Sequence, residues 1–319
     1  MNEIDYSPLN FNPNEYKNQI TIKRQVLDGV IYPVSTRLVT LLKSFVYPEL
    51  SRLSFSTDCI LFSDRGSSFL SLLPILKRFV SLSNSHLLIQ GCGLGQEVLA
   101  WSKLGVTYCV GIDQFNFNSA WEQVASNLQK TEIRFITGDI CKSPLPSQSF
   151  DIISSSAVWE HVQDFDSLIK ETRRLIKPEG IVLSSFGPLW HTFSGDHFSA
   201  AGGLENGFNH LLLEKAEYLE WIDSFQTQDV WATSEESYFE IRRHIREGMF
   251  SYLKPREYIQ KVEKCFNRLY TIAIISPEAL AFRSTYPSKW QQLIAKDVQE
   301  EDLLIKGLIL FLSPFGESQ

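Results

Sequence analysis

The apolar positions of this chain change rhythm twice. After a polar stretch to about residue 20, short apolar segments alternate with Ser, Pro and Arg from Thr21 to Leu82, and runs such as "SFLSLLPILKRFVSL" space their apolar residues as a helix does. Pro74 inside that run sets a kink or a break, because proline lacks the N–H that a helix interior needs. From His86 the pattern becomes strand-like runs separated by helix-like ones. "HLLIQ" is the first strand candidate, followed by a glycine loop and the helix "QEVLAWSKLG". "TYCVGID" is the second strand, ending at Asp113, and a helix follows over about 119–128. "EIRFITGD" is the third, ending at Asp139, and "FDIISSSAV" is the fourth. A helix over about 166–176 and the fifth strand "EGIVLSSF" complete the series. Beyond Phe186 the alternation stops. Residues 187–267 hold no convincing strand, only a loop rich in Gly, His and Phe and helix-like segments such as "LLLEKAEYLEWI" and "ESYFEIRRHIREGMF". Near the end, "LYTIAIIS" and "LLIKGLILFLSP" read as strands. Between them "SPEALAF" reads as a helix start, with Ser276 as N-cap.

Strand and helix alternating at short spacing is the signature of a parallel, doubly wound α/β sheet. Ligands of such sheets bind at the carboxyl ends of the strands, where strand order reverses. Four segments are expected: a helical N-terminal region over 1–85, the alternating core over 86–186, a helical insertion over 187–267, and C-terminal strands over 268–319 that complete the sheet. The first and third are expected to cover a cavity of a size for a small or medium molecule.

Composition narrows the function classes. Apolar residues make up 44% and charged residues 21%, as in an ordinary soluble domain. The formal charge of −7 argues against broad nucleic-acid binding, which needs clustered Lys and Arg. The nearest basic clusters, "RRHIR" and "KETRR", read as solvated helix faces. Five cysteines occur without a CxxC pair, so neither a disulfide framework nor a zinc site is indicated. "MNEIDYSPLN" lacks the basic-then-apolar pattern of a signal peptide. No apolar stretch reaches the roughly 20 residues that span a bilayer. A cytoplasmic location without membrane partners is expected.

The chemistry starts in "LLIQGCGLGQEVLAW". A dinucleotide fingerprint G-x-G-x-x-G would place its third glycine at position 96, which is Gln96. The pattern here is G-x-G-x-G, at Gly91, Gly93 and Gly95. Such a loop still lets backbone approach a ligand closely. Asp113 ends the next strand, where a carboxylate can accept two hydrogen bonds from a ribose diol. Asp139 ends the third strand and can accept from an exocyclic amine. No Walker lysine and no arginine beside the loop is present to neutralise pyrophosphate. Together these residues suggest an adenosine pocket without phosphate.

At this point the chain resembles a family. "LLIQGCGLGQE", "GIDQ", "ITGDI", "FDIISSSAVWEHV" and "LIKPEGIVLSSF" look like the class I methyltransferases that use S-adenosylmethionine, over about 86–186 plus the last strand. The resemblance implies a seven-stranded sheet in order 3-2-1-4-5-7-6 with strand seven antiparallel. It also implies that Gly91, Cys92, Gly93 and Gly95 cradle the methionine end of the cofactor. Asp113 with Gln114 would hold the ribose, and Asp139 with Ile140 the adenine. Ser155 and Ser156 would line the methionine side. There is one departure: many members carry an acid two residues before the first glycine, to hold the ammonium group, and here that position is Ile89 followed by Gln90.

Methyl transfer from a sulfonium mainly needs the acceptor positioned, and a hydroxyl acceptor also benefits from a general base. Three of the six histidines, His191, His197 and His210, fall in "GPLWHTFSGDHFSAAGGLENGFNH", just after the fifth strand. His161 in "WEHV" follows the fourth. The order of preference for the base is His191, His197, His161, with a titration expected near the ordinary histidine value of about 6.5. His210 heads an apolar helix and reads as structural. A metal site from His191, Asp196 and His197 matches no standard spacing. Trp159, Phe186, Trp190, Phe193, Phe198 and Phe208 surround this region, as core or as an apolar pocket wall. The leading expectation is O-methylation of a small molecule, with N-methylation next. The alternatives are a nicotinamide-dependent oxidoreductase and a non-catalytic nucleoside-binding protein.

Overall fold

The computed structural model describes residues 72–102, 104–126, 131–225 and 235–315. The helices expected ahead of residue 72 lie outside these. Within the described chain, a four-residue helix α1 (Leu73–Leu76) takes Pro74 into its first turn. The helix expected through "PILKRFVSL" is therefore shorter than its apolar spacing suggested. Proline suits a first turn, where its missing N–H costs nothing, and the chain after Leu76 passes into turns.

The alternation is then realised element by element: β1 (His86–Gln90), α2 (Gln96–Ser102), β2 (Tyr108–Asp113), α3 (Asn118–Ser126), β3 (Glu132–Thr137), β4 (Phe150–Ser156), α4 (Phe165–Leu175) and β5 (Ile176–Phe186). α5 (Asn209–Leu212), α6 (Lys215–Asp223), α7 (Glu235–Glu247) and α8 (Pro255–Val262) follow. The chain closes with β6 (Phe266–Ile275), α9 (Pro277–Thr285), α10 (Pro287–Ile294), α11 (Glu300–Leu304) and β7 (Ile305–Pro314). "LLLEKAEYLEWI" forms two helices, α5 and α6, rather than one. Helices α10 and α11 were not foreseen. The expected N-cap of α9 is present, with Ser276 Oγ accepting from Ala279 N at 3.1 Å.

The strands form one seven-stranded mixed sheet in the order β3-β2-β1-β4-β5-β7-β6, as expected. β1 pairs in parallel with β2 on one side and β4 on the other, and β2–β3 and β4–β5 are also parallel. β1 sits at the point where strand order reverses, so the loop after Gln90 opens at the carboxyl edge. β1, β2 and β4 are almost continuously buried, which parallel strands covered on both faces require. β3, next to only one strand, alternates in exposure.

The chain divides into two compact units. One takes the described part of Arg37–Ser185 with Gln260–Thr271 and the chain from Ile309. Its core is built on Leu87, Leu88, Val110, Ile112, Ile152, Ile153 and Val182. The other takes Phe186–Ile259 and Ile272–Leu308. It has a core around Phe193, Phe208, Phe282, Trp290 and Leu303, and a smaller one around Phe198, Tyr218 and Ile222. Among the described residues, no helix is long and apolar enough to cross a membrane.

Candidate functional site

The glycine loop is fastened to β2 and to α3. Gly91 N and Cys92 N both donate to Ile112 O, at 2.8 and 3.1 Å. Gly93 N donates to Asp113 Oδ2 at 2.8 Å. Gly93 O accepts from Trp121 Nε1 at 2.7 Å, and Trp121 lies flat on Phe135 with ring centroids 5.2 Å apart. All three glycines have positive φ, but they serve different ends. A Cβ at Gly91 would meet Val158 Cγ2 at 2.2 Å, so this glycine permits close packing of the loop on the segment after β4. A Cβ at Gly95 would press on Phe135 at 2.8 Å. A Cβ at Gly93, with φ at +50°, would meet nothing within 4 Å among the described residues. Gly93 is thus the point where bare backbone faces open space.

Asp113 is a buried carboxylate with few acceptor positions left. Its Oδ1 accepts from Phe115 N at 3.0 Å and its Oδ2 holds the loop. Burial pushes its pKa up, while the amides of Phe115, Gly93 and Gln114 act in the opposite sense. Gln114 beside it is exposed. Asp139 stands two residues past β3 and is exposed, accepting from Cys141 N at 2.8 Å, with Ile140 half-buried next to it. The Cys92 side chain turns inward, and burial followed by the nearby Asp113 raises its thiol pKa well above the ordinary value.

At the end of β4 the two expected serines diverge, because strand side chains alternate faces. Ser155 is buried, in register with Gln90 and Ser184, and the hydroxyls of Ser155 and Ser184 lack a hydrogen-bond partner among the described residues. Ser156 is half-buried at the strand end. Ala157 then adopts φ of +54°, with its N donating to Ser185 O at 2.8 Å. A short 3-10 turn (Trp159–His161) follows, and His161 is half-buried there.

The sequence reading missed Glu97, Trp121 and Val158. Glu97 is a buried acid whose Oε1 accepts from Trp101 Nε1 at 2.8 Å and Ser154 Oγ at 2.5 Å. In the sequence it reads as an ordinary first-turn acid of α2. Gln90 donates to Thr172 Oγ1 at 2.9 Å and accepts from Trp159 Nε1 at 3.3 Å, so it acts as an internal tie.

In the other unit the histidine loop is organised by Asp196. This fully buried acid accepts from Phe198 N at 3.1 Å, Ser199 N at 2.9 Å, Ser199 Oγ at 2.5 Å and the Tyr218 hydroxyl. These donors use up its acceptor capacity. His210 is buried beside it, with Nε2 bonded to Trp190 O at 2.8 Å, and burial lowers its pKa. It is a structural group, as expected. His191 is different. Its buried Nδ1 has no hydrogen-bond partner among the described residues. Burial, then His210 and Lys254, push its pKa down to about 4 against the opposing Glu257 and the Leu253 backbone. His197 has φ of +63° and sets its ring edge against Phe250 at 5.7 Å. Of the six flanking aromatics, all but Trp190 are core residues. Trp190 is half-buried and packs on Phe250 and Tyr252 at 4.8 and 4.7 Å.

Residues 88–184, from β1 to β5, match the methyltransferase domain family. This core is a class I methyltransferase domain. Curated relatives of the domain include a ubiquinone biosynthesis O-methyltransferase of Coxiella burnetii. It is 28% identical over 169 residues, which is 51% of this chain and 67% of that protein. A sterol 24-C-methyltransferase of Gibberella zeae is 28% identical over 94 residues, 28% of this chain and 24% of that protein. The chain thus spans between about a quarter and about two thirds of the length of these relatives. Among solved structures, an S-adenosylmethionine dependent methyltransferase from Mesorhizobium loti is 15% identical with a TM-score of 0.45. The alignment covers 75% of this chain and 95% of that one. Phosphoethanolamine N-methyltransferase 2 of Haemonchus contortus, in complex with S-adenosylmethionine, is 16% identical with a TM-score of 0.46, over 77% of this chain and 52% of that one.

Proposed function

We propose that this chain binds S-adenosylmethionine at the glycine loop and transfers its methyl group to a small or medium-sized acceptor, by preference to a hydroxyl. The observation that carries the reading is Gly93. Its amide and carbonyl are locked by Asp113 and Trp121, and its Cα borders open space. A ligand without phosphate fits such a cradle, since no lysine or arginine is among the residues that hold the loop. When bound, S-adenosylmethionine supplies a methyl group already activated on a sulfonium.

The chain's own residues then bind and orient. Gly91, Cys92, Gly93 and Gly95 take the methionine end through backbone. Asp113, with Gln114, accepts from the ribose hydroxyls with the acceptor positions that the loop amides leave. Asp139, with Ile140, receives the adenine amine; its exposure and single amide bond support this. Ser156 serves the methionine side by its hydroxyl and Ser155 by its backbone. For a hydroxyl acceptor, His191 Nδ1 takes the proton, because it is a neutral acceptor with no donor of its own among the described residues. His197 and His161 are the next candidates. Residues 1–85 and 187–267 are assigned to covering the acceptor.

Calorimetric titration of the full chain with S-adenosylmethionine, S-adenosylhomocysteine and NAD tests the reading. Binding of the first two and not the third is expected. Binding of NAD alone, or of none, overturns it.

A further inference from the structure

We infer that Glu97 receives the ammonium group at the amino-acid end of the cofactor, an inference that rests on the reading of the glycine loop given above. Glu97 stands in the first turn of α2, two residues behind Gly95. Its carboxylate is buried and fixed by Trp101 Nε1 and Ser154 Oγ at 2.8 and 2.5 Å. The Ser156 hydroxyl is its third donor. Ser154 and Ser156 point to the same face of β4, and Ser156 is the last residue of that strand. The carboxylate therefore lies along the final pleat of β4, at the carboxyl edge of the sheet beside the glycine loop.

What this acid lacks, among the described residues, is a cation. Its three donors are neutral, and no lysine, arginine or histidine among the described residues pairs with it. A buried carboxylate without a counter-charge is unfavourable, and burial raises its pKa accordingly. An ionised carboxylate offers about four acceptor positions, and three protein donors leave one open. S-adenosylmethionine and S-adenosylhomocysteine each bring an α-ammonium, which is the missing charge in a form that donates hydrogen bonds. The other two acids of the site suit it less. Asp113 ends β2 and is assigned to the ribose in the reading above, and Asp139 is exposed beyond the end of β3. Glu97 is thus a binding residue that fixes which end of the cofactor lies beneath β4.

The test is calorimetry on the full chain and on Glu97→Gln, with two ligands: S-adenosylhomocysteine and its deaminated analogue, which carries hydrogen in place of the ammonium. Glutamine keeps the shape and can still accept from Ser154 and Trp101. The wild type should prefer the amine-bearing ligand by about 10- to 100-fold, as a charge-assisted bond implies. Glu97→Gln should lose that preference while binding the deaminated analogue within about threefold of wild type. Equal weakening for both ligands would reduce Glu97 to a support of the loop and overturn the inference. So would a wild type that binds both ligands alike, an outcome that does not depend on how the variant folds. A wild type that binds neither ligand removes the functional reading itself, and this inference with it.

Discussion

Burial of His191 makes a stability that depends on pH. The folded chain holds this imidazole at a pKa of about 4, against about 6.5 in an unfolded chain. Burial is the largest cause, followed by the neighbouring His210 and Lys254. Between these two values the unfolded chain binds a proton that the folded chain does not. Stability therefore rises with pH across that window. The contribution is complete above about pH 6.5, falls as pH drops toward 4, and changes no further below. The size is the shift times about 1.4 kcal/mol per pH unit, or about 3 kcal/mol. Urea unfolding of wild type and His191→Gln at several pH values isolates the term, because His210 loses stability in the same sense in both proteins. Wild type should lose about 3 kcal/mol more than the variant between neutral pH and about 4. Profiles that stay parallel within about 0.5 kcal/mol would refute the argument. So would a titration of the His191 Cε1 proton with a midpoint near 6.5. The same shift corrects the expectation of a rate that rises through about 6.5. If His191 is the base, it is already neutral there and the rate is flat.

Gly93→Val should abolish S-adenosylhomocysteine binding and leave circular dichroism unchanged, since a branched side chain opposes φ of +50° and fills the open space. A folded variant that binds normally would make the loop a plain turn. Asp113→Ala should weaken binding by about 1.5–3 kcal/mol, and unchanged calorimetry would remove Asp113 from the site. Replacing His191, His197 or His161 by Ala should lower turnover on a hydroxyl acceptor by roughly 10²–10⁴ for the residue that is the base. Cofactor affinity should stay as in wild type. Full turnover in all three variants would mean that catalysis is by positioning alone.

The sheet was legible because its evidence is local and repeated. The apolar runs of β1, β2 and β4 are each followed by a helix pattern at short spacing, and one register error would expose a whole buried face. The helices after Phe186 were less legible. α5 and α6 share one continuous apolar pattern, and the break between them is an extended Leu213–Glu214 that no Gly or Pro marks. The glycine loop could be found from spacing, but the separate tasks of Gly91 and Gly93 could not. One is decided by Val158 from the end of β4, the other by an absence of neighbours. Glu97 was hidden for the same reason. In sequence it is an acid near a helix start, which usually means a dipole effect. Only the pairing of Ile89 with Ser154 shows that it reaches the face the Ile89 side chain occupies. The acid absent from position 89 is supplied by the helix behind the loop.

The way the loop is held bears on how tightly it can bind. Binding loses affinity when a mobile segment must be ordered, by about 0.5–1.5 kcal/mol for each side chain fixed and more for backbone. Here the loop is held by hydrogen bonds to the elements around it. Gly91 and Cys92 hang from Ile112 O, Gly93 N from Asp113, and Gly93 O from an indole that is itself stacked on Phe135. Each anchor comes from β2, α3 or β3, none of them part of the loop. A change at Trp121 should then act through the loop rather than by direct contact. It would free Gly93 O and leave every other tie in place. The affinity lost would measure preorganisation, separately from the contacts proposed for Asp113 and Glu97.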